Sequence, residues 1–136
     1  WNPCSQNWIS KDKFVFSKDA FINESKTVKL SEILDNPVDA KYLMNERQIN
    51  YCLTTNFNSN RVVINPTVAS CLLASGTKFY CIDGVYRFLS VNEMKKLQGF
   101  GEDFVFPVSD NQAKKQLGNT MTVNVLQKIF ENLYLK

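Results

Sequence analysis

The C-terminal third of the chain has the clearest helical periodicity. Apolar residues recur there every three or four positions, which is the spacing of one face of an α-helix. The set consists of Val123, Leu126, Ile129, Phe130 and Leu133. The pattern predicts a final helix that begins near Val123 and buries this apolar face.

Two shorter helices are predicted upstream of the final one. Ser90 followed by Glu93 fits a capping box, in which the two side chains satisfy free amides at the start of a helix. Gly99 is then suited to ending that helix. A second short helix is predicted from about Asn111 and is closed by Gly118.

The middle of the chain has short apolar runs separated by turn residues, a pattern typical of β-strands. The runs are residues 61–64, 71–74 and 78–82. Asp83 and Gly84 follow the third run and form a favoured two-residue hairpin turn. We therefore predict a small β-rich region here.

The N-terminal part is less regular. Residues 14–16 are aromatic and β-branched and predict a short strand. A helical turn is predicted at Ser31, and Pro37 ends it. Asn45 with Gln48 fits a second capping arrangement, which predicts a helix over residues 46–53.

Composition and charge narrow the class of protein. Hydrophobic residues make up 44% of the chain, which is ordinary for a folded domain and argues against a disordered tail. The formal net charge of +3 permits nucleic-acid binding without arguing for it. From Arg47 through Ile82 there is no Asp or Glu. This carboxylate-free, polar segment could lie against phosphates without repulsion, and a solvated loop is the alternative.

The residue content excludes several kinds of chemistry. The chain has no histidine, which removes Ser-His-Asp and Cys-His catalysis. The four cysteines (Cys4, Cys52, Cys71 and Cys81) are far apart, so the usual zinc spacings are absent. No apolar run approaches the roughly 20 residues that a membrane span needs. We therefore expect a reduced, intracellular chain without a metal or a membrane segment, and the missing initiator Met hints at a fragment.

Two ordered blocks of residues lie near the C-terminus. The first combines Arg87, Ser90 and Glu93 with Leu97-Gln98-Gly99-Phe100, and the second is Gln116-Leu117-Gly118-Asn119-Thr120. Together they resemble the last two conserved blocks of the cytosine-5 DNA methyltransferases, although Gly101 stands where the family usually has proline. Without the resemblance, the first block is explained as a structural helix that a glycine terminates.

The resemblance implies roles for residues in both blocks. In the family the first block organises the target-recognition domain and the second contributes to the S-adenosylmethionine pocket. The expected cofactor contacts are therefore Asn119, Thr120 and Met121. The expected structural residues are Arg87, Ser90, Glu93, Gln98, Gly99 and Gly118.

Residues 68–76 resemble the family's recognition loop, which approaches bases in the major groove. Cys71 and Leu73 stand where the family usually has Thr, and a buried apolar strand is the alternative interpretation. The loop and the carboxylate-free segment together give the expected DNA contacts: Arg61, Ser70, Cys71, Leu72, Leu73, Ser75 and Lys78.

The blocks that perform the family's chemistry have no match in this chain. That chemistry needs a Cys in a Pro-Cys-Gln loop, a Glu-Asn-Val segment, an Arg-x-Arg pair and a Phe-x-Gly-x-Gly cofactor loop. Pro3-Cys4-Ser5-Gln6 departs from the first of these at Ser5, so we interpret Cys4 as a bystander. No catalytic residue is assigned, and the chain alone is expected to be inactive.

The combined prediction is an α+β chain with two parts. Residues 1–86 form a small β-rich target-recognition region, and residues 87–136 form the conserved blocks and a helix that packs on a catalytic domain absent from this chain. The expected partners are double-stranded DNA, S-adenosylmethionine and a catalytic methyltransferase domain or subunit, in a bacterial cytoplasm or a eukaryotic nucleus, with a role in restriction-modification. The alternatives are a non-catalytic DNA-binding or regulatory module derived from such an enzyme, and a purely structural domain.

Overall fold

A computed structural model describes residues 28–54, 61–75 and 78–134, with side chains as far as Glu131 in the last helix. The strand predicted at residues 14–16 and the bystander Cys4 lie outside these residues. Within them, two 3-10 turns (Leu30–Glu32 and Ala40–Tyr42) precede the longer elements. The helices are α1 (Glu46–Thr54), α2 (Val91–Leu97), α3 (Asp110–Asn119) and α4 (Val123–Tyr134), and the strands are β1 (Val62–Ile64), β2 (Phe79–Ile82) and β3 (Val85–Arg87). The predicted α+β class is confirmed.

The three strands form one sheet in the order β1-β2-β3. β1 and β2 are parallel, with Val63 opposite Tyr80. β2 and β3 are antiparallel and are joined by the predicted hairpin turn. Both turn residues have positive φ, 50° at Asp83 and 82° at Gly84, as a type I′ turn requires.

Residues 71–74 do not form the strand that their apolar character suggested. Leu72 is buried, whereas Cys71 and Leu73 on either side of it are exposed. Because β1 and β2 run parallel, the chain between them has to return to the other end of the sheet, and these residues belong to that connection. The alternation of burial here comes from an irregular loop that inserts one side chain into the core.

The core joins the sheet to the C-terminal helices. Its buried residues are Leu30, Leu72, Tyr80, Leu89, Met94 and Leu117. Both predicted capping arrangements are confirmed. Asn45 and Gln48 exchange hydrogen bonds of 3.0 and 2.9 Å at the start of α1, and Ser90 is the N-cap of α2. Gly99 follows α2 with a φ of 78°, the conformation expected where glycine ends a helix.

Two predictions about α3 and α4 need correction. Gly118 does not close α3, because the helix continues through Asn119. α4 begins at Val123 as predicted, but its apolar face is not buried within this part of the protein. Phe130 is 52% exposed, and Val123, Leu126 and Ile129 are only half-buried, because the described elements cover the face in part. Leu133 lies where side chains are not described.

Candidate functional site

An ion pair between Arg87 and Glu93 is the buried centre of the first conserved block. Arg87 Nη2 donates to both carboxylate oxygens of Glu93, at 2.5 and 2.7 Å, and Glu93 is fully buried. The capping box is complete, since the Ser90 amide donates to Glu93 Oε2 at 2.7 Å and the Glu93 amide donates to Ser90 Oγ at 3.0 Å. The carboxylate therefore serves the ion pair and the start of α2 at once.

Asp35 connects this ion pair to the segment that precedes α1. Its amide donates to Glu93 Oε1 at 2.8 Å, and its carboxylate accepts from Ser90 Oγ, Asn92 Nδ2 and Lys96 Nζ at 2.7 to 3.0 Å. Burial raises the pKa of Asp35, but the hydrogen bonds from Ser90, Lys96 and Asn92 outweigh it and hold the pKa below its usual value. We call the set Asp35, Arg87, Ser90 and Glu93 the ion-pair corner.

Gln98 joins the ends of three helices. Its side-chain Nε2 donates to the carbonyl oxygens of Leu117 at 2.8 Å and Thr120 at 3.3 Å, and its Oε1 accepts from Thr122 Oγ1 at 3.0 Å. Its backbone oxygen accepts from the amide of Val123 at 2.8 Å. The expected structural role of Gln98 is therefore explained by hydrogen bonds that fix α3 and α4 relative to α2.

Gly118 lies where α3 touches the loop that is predicted to be the recognition loop. A Cβ at this position would meet the backbone of Leu73 and Ala74 at 2.4 to 2.6 Å, a distance that real Cβ atoms do not adopt. Any larger residue would push the loop and the helix apart. The glycine is thus required by a close approach between the predicted DNA-contacting loop and the helix that leads to the predicted cofactor contacts.

The three predicted cofactor contacts lie together at the end of α3. Thr120 is the C-cap residue, and its Oγ1 donates to the backbone oxygen of Gln116 at 2.8 Å. Asn119 and Met121 are exposed on either side of it. The segment therefore presents one amide and one thioether side chain to its surroundings, while the Thr120 hydroxyl is used within the helix.

The predicted DNA contacts divide into three groups. Arg61, Leu73 and Ser75 line one open groove. Cys71 is exposed and Lys78 is half-buried, and neither lines that groove. The side chain of Leu72 faces the core, and the half-buried Ser70 donates its amide to Tyr80 Oη at 3.2 Å. Leu72 and Ser70 are therefore placed to hold the loop from beneath.

The groove brings residues from α3 and from the turn before α1 beside the predicted recognition loop. It has a volume of about 530 Å³ and is lined by four cationic side chains, Lys41, Arg61, Lys114 and Lys115. Aromatic rings line it as well, from Tyr42, Phe79 and Phe88. We call it the lysine groove.

Sequence reasoning assigned no function to the α3 part of this groove. Lys114 and Lys115 lie between the two conserved blocks, and Lys41 lies some seventy positions upstream. Cations so far apart in the sequence form no local motif, because only the fold brings them together. The adjacent pair Lys114-Lys115 on an amphipathic helix was the available hint.

Neither a metal site nor a membrane segment emerges from the described ranges. Within residues 28–54, 61–75 and 78–134, no group of three or more acidic or cysteine side chains could hold a metal ion. No helix in the same ranges is both long and apolar enough to cross a membrane.

Solved methyltransferase structures resemble this fold, among them the following two. A methyltransferase of Entamoeba histolytica, EhMeth, superimposes with a TM-score of 0.62 at 24% identity, over 79% of this chain and 41% of that one. The S. pombe Dnmt2 methyltransferase superimposes with a TM-score of 0.66 at 18% identity, over 89% of this chain and 48% of the other. At these identities the likeness concerns the fold alone.

Curated relatives match a shorter stretch more closely. The type II methyltransferase M.BanI of Aneurinibacillus aneurinilyticus is 44% identical over 52 residues, and M.MspI of Moraxella sp is 47% identical over 49 residues. These matches span 38% and 36% of this chain, and 12% of the length of either relative.

The match to a family model extends much further. The model of the C-5 cytosine-specific DNA methylases matches residues 3–135, which is nearly the whole sequence. This chain therefore belongs to the C-5 cytosine-specific DNA methylase family.

Proposed function

We propose that this chain is the DNA-recognition and cofactor-pocket-completing portion of a cytosine-5 DNA methyltransferase. The whole enzyme would transfer a methyl group from S-adenosylmethionine to C5 of cytosine in duplex DNA. The catalytic blocks would lie in another part of the protein or in a partner subunit. A role in restriction-modification is supported by the type II methyltransferases among the relatives.

The contact at Gly118 is the observation that carries this proposal. It places the backbone of Leu73 and Ala74 against the last turn of α3, one residue before Asn119. A protein that brings DNA and a methyl donor to one reaction needs the two binding regions to keep a fixed separation. The close packing at this glycine supports that arrangement.

The residues at the end of α3 fit one wall of a cofactor pocket. S-adenosylmethionine supplies the methyl group, and its polar and apolar parts match an exposed amide beside an exposed thioether. Asn119 and Met121 would hold it, while Thr120 fixes the backbone between them through its bond to Gln116. The remaining walls would come from the catalytic part.

The carboxylate-free segment supports contact with DNA. No Asp or Glu occurs from Arg47 through Ile82, so the described part of this segment presents no carboxylate to a phosphate backbone. The exposed Cys71 and Leu73 at the loop surface would approach the bases, and Arg61 and Lys78 the phosphates.

The coding sequence upstream of the Trp1 codon is the first test. We expect Pro-Cys-Gln and Glu-Asn-Val segments either in the same frame or in a neighbouring frame. Expression of that frame, or of the two frames together, should give S-adenosylmethionine-dependent methylation of duplex DNA. If neither segment is present and no catalytic partner restores methylation, the proposal fails.

A variant of the active enzyme tests the cofactor assignment. Asn119→Ala should raise the KM for S-adenosylmethionine and leave the KM for DNA nearly unchanged, because the amide contacts only the cofactor. Gln112→Ala is the matched control, since Gln112 is an exposed amide on the same helix. An equal effect of both substitutions on the KM for S-adenosylmethionine would contradict the assignment.

A non-catalytic DNA-binding module is the second candidate. The lysine groove favours it, because this chain supplies the cations of the groove without a catalytic partner. It predicts salt-sensitive DNA binding without any methylation when catalytic blocks are supplied. A purely structural domain would bind neither DNA nor cofactor.

A further inference from the structure

Cations outnumber carboxylates in the lysine groove. Among the described residues that line it, Asp110 is the only acidic one, against four cationic side chains. Asp110 Oδ2 lies 2.9 Å from Lys41 Nζ and accepts from Tyr42 Oη at 2.7 Å. The hydrogen bonds from Lys41 and Tyr42 hold the pKa of Asp110 below its usual value. Asp110 therefore balances Lys41, and no salt bridge within the described residues involves Lys114 or Lys115.

Lys114 is the most unusual of these cations. Its Nζ lies 4.7 Å from the ring centre of Tyr42 and 5.8 Å from that of Phe88. The side chain is half-buried, and no carboxylate within the described ranges lies within salt-bridge distance of it. Burial lowers the pKa of Lys114, with Asp110 only partly opposing the effect. A partly desolvated ammonium without an ion pair is costly unless an anion is brought to it.

The shape of the groove favours a phosphodiester over an isolated ion. Its volume of about 530 Å³ exceeds what one phosphate needs, and it is open to solvent. The groove that contains Lys114 is also lined by Leu73 and Ser75 of the recognition loop. A strand whose bases meet that loop would carry its backbone past these lysines.

We propose that the lysine groove binds a backbone phosphate of duplex DNA, so that α3 takes part in DNA binding together with the recognition loop. The inference rests on the proposed DNA-recognition function and adds Lys114 and Lys115 to it. Phosphate contacts carry no base information, so this site sets the position and orientation of the duplex. Asp110 limits the strength of the site by opposing the incoming negative charge.

DNA binding by the chain, measured by fluorescence anisotropy of a labelled duplex at several salt concentrations, tests this site. Because phosphate contacts are independent of sequence, a duplex of arbitrary sequence is sufficient. We expect Lys114→Gln and Lys115→Gln each to weaken binding by roughly tenfold and to lower the slope of log K against log salt by about one. Lys114→Arg keeps the charge above the rings and should retain binding.

Two variants separate this effect from the loss of positive charge in general. Lys29→Gln removes one charge at an exposed position that does not line the groove, and it should have a much smaller effect on affinity and slope. Asp110→Asn should change affinity in the opposite direction, tightening binding severalfold, because the amide can still accept from Tyr42 but no longer repels a phosphate.

Inorganic phosphate, titrated at constant ionic strength, distinguishes a DNA backbone from a small anion. We expect it to perturb the amide resonances of Asn111 and Lys115 weakly and to compete with DNA. If phosphate perturbs them but the lysine variants leave DNA affinity unchanged, the groove binds a small anion and the proposal is overturned.

DNA binding by the unmodified chain separates the phosphate site from the proposed function. If the unmodified chain binds DNA and Lys114→Gln and Lys115→Gln act no more strongly than Lys29→Gln, the groove is not a phosphate site, although the recognition function stands. If the unmodified chain and its complex with the catalytic part bind no DNA, both fail together.

Discussion

In the part of the chain that the structure describes, charged side chains gather at the ion-pair corner and at the lysine groove. In the corner, Arg87 and Glu93 are buried and bonded to each other. In the groove, the cations are partly or fully exposed and outnumber the carboxylates. The difference indicates what each place does. Charges that are paired with each other, as in the corner, stabilise the fold, whereas Lys114 and Lys115, which form no salt bridge within the described residues, are available to a ligand.

Removal of Glu93 should have the largest effect of any change at the two places. Glu93→Ala leaves the buried Arg87 guanidinium without its partner and removes the acceptor for the amides of Ser90 and Asp35. Breaking one side of a buried ion pair costs about 3–5 kcal/mol, and a small domain has little more than that in total. Urea unfolding followed by circular dichroism should show a chain that is largely unfolded or has lost most of its stability.

The matching change in the groove provides the contrast. Asp110→Ala removes an exposed carboxylate that pairs with the exposed Lys41 and accepts from Tyr42 Oη, so the free energy of unfolding should fall far less than in Glu93→Ala. If Glu93→Ala and Asp110→Ala cost the same, the corner has no special role in stability.

Gly118→Ala should have the next largest effect, because it acts on the contact between α3 and the recognition loop. The added Cβ would overlap the backbone of Leu73 and Ala74, and overpacking of this kind typically costs about 1–3 kcal/mol. Thermal unfolding should show a clear decrease in Tm, and DNA affinity should decrease as well because the loop moves.

Gly101→Ala is the control for that substitution. A Cβ at Gly101 meets only the side chain of Asp103, which can rotate away. The Tm of this variant should stay close to that of the unmodified chain. Equal losses at both glycines would mean that the approach at Gly118 is not what limits the loop.

The sequence predicted the corner far better than the groove. Ser90 and Glu93 are three residues apart, so a local capping rule was enough to place them together. The ion pair with Arg87 and the hydrogen bonds of Asp35 were not predicted. Lys41, Arg61 and Lys114 are brought together by the path of the chain, which no local pattern specifies. The role of Gly118 was also misjudged, because a glycine near a helix end suggests a stop signal when its reason is a close tertiary approach.

The fold shows the same division between local and long-range information. The hairpin at Asp83 and Gly84 and the starts of α1, α2 and α4 follow from nearby residues, and all were predicted. Residues 71–74 were misjudged because their apolar character is typical of a strand, whereas the parallel pairing of β1 with β2 makes them a connection. The exposure of Phe130 was not predicted, because helical periodicity shows which residues share a face and not which other surface covers that face.

The pH dependence of stability tests whether Asp35 contributes to the corner through its charge. The pKa of Asp35 is lowered in the folded state, so its stabilising effect is complete above the unfolded value of about 3.9 and is lost as the pH falls through the folded pKa. Urea midpoints measured from pH 7 down to pH 3 should decrease more for the unmodified chain than for Asp35→Asn. Parallel curves would show that the carboxylate charge is not used.

The smallest effect on stability is expected at the surface of the predicted recognition loop. Cys71 is exposed, and its thiol makes only a weak contact of 3.6 Å with the backbone oxygen of Leu72, so Cys71→Ser should change the free energy of unfolding by less than about 0.5 kcal/mol. The same substitution at Cys81, which is buried in β2, should cost about 1–3 kcal/mol because it places a hydroxyl in the core. If the two substitutions prove equally costly in urea unfolding, the loop surface is packed like the core. A tolerant Cys71 would instead show that this exposed position can vary without a cost in stability, unlike the buried ion pair of the corner.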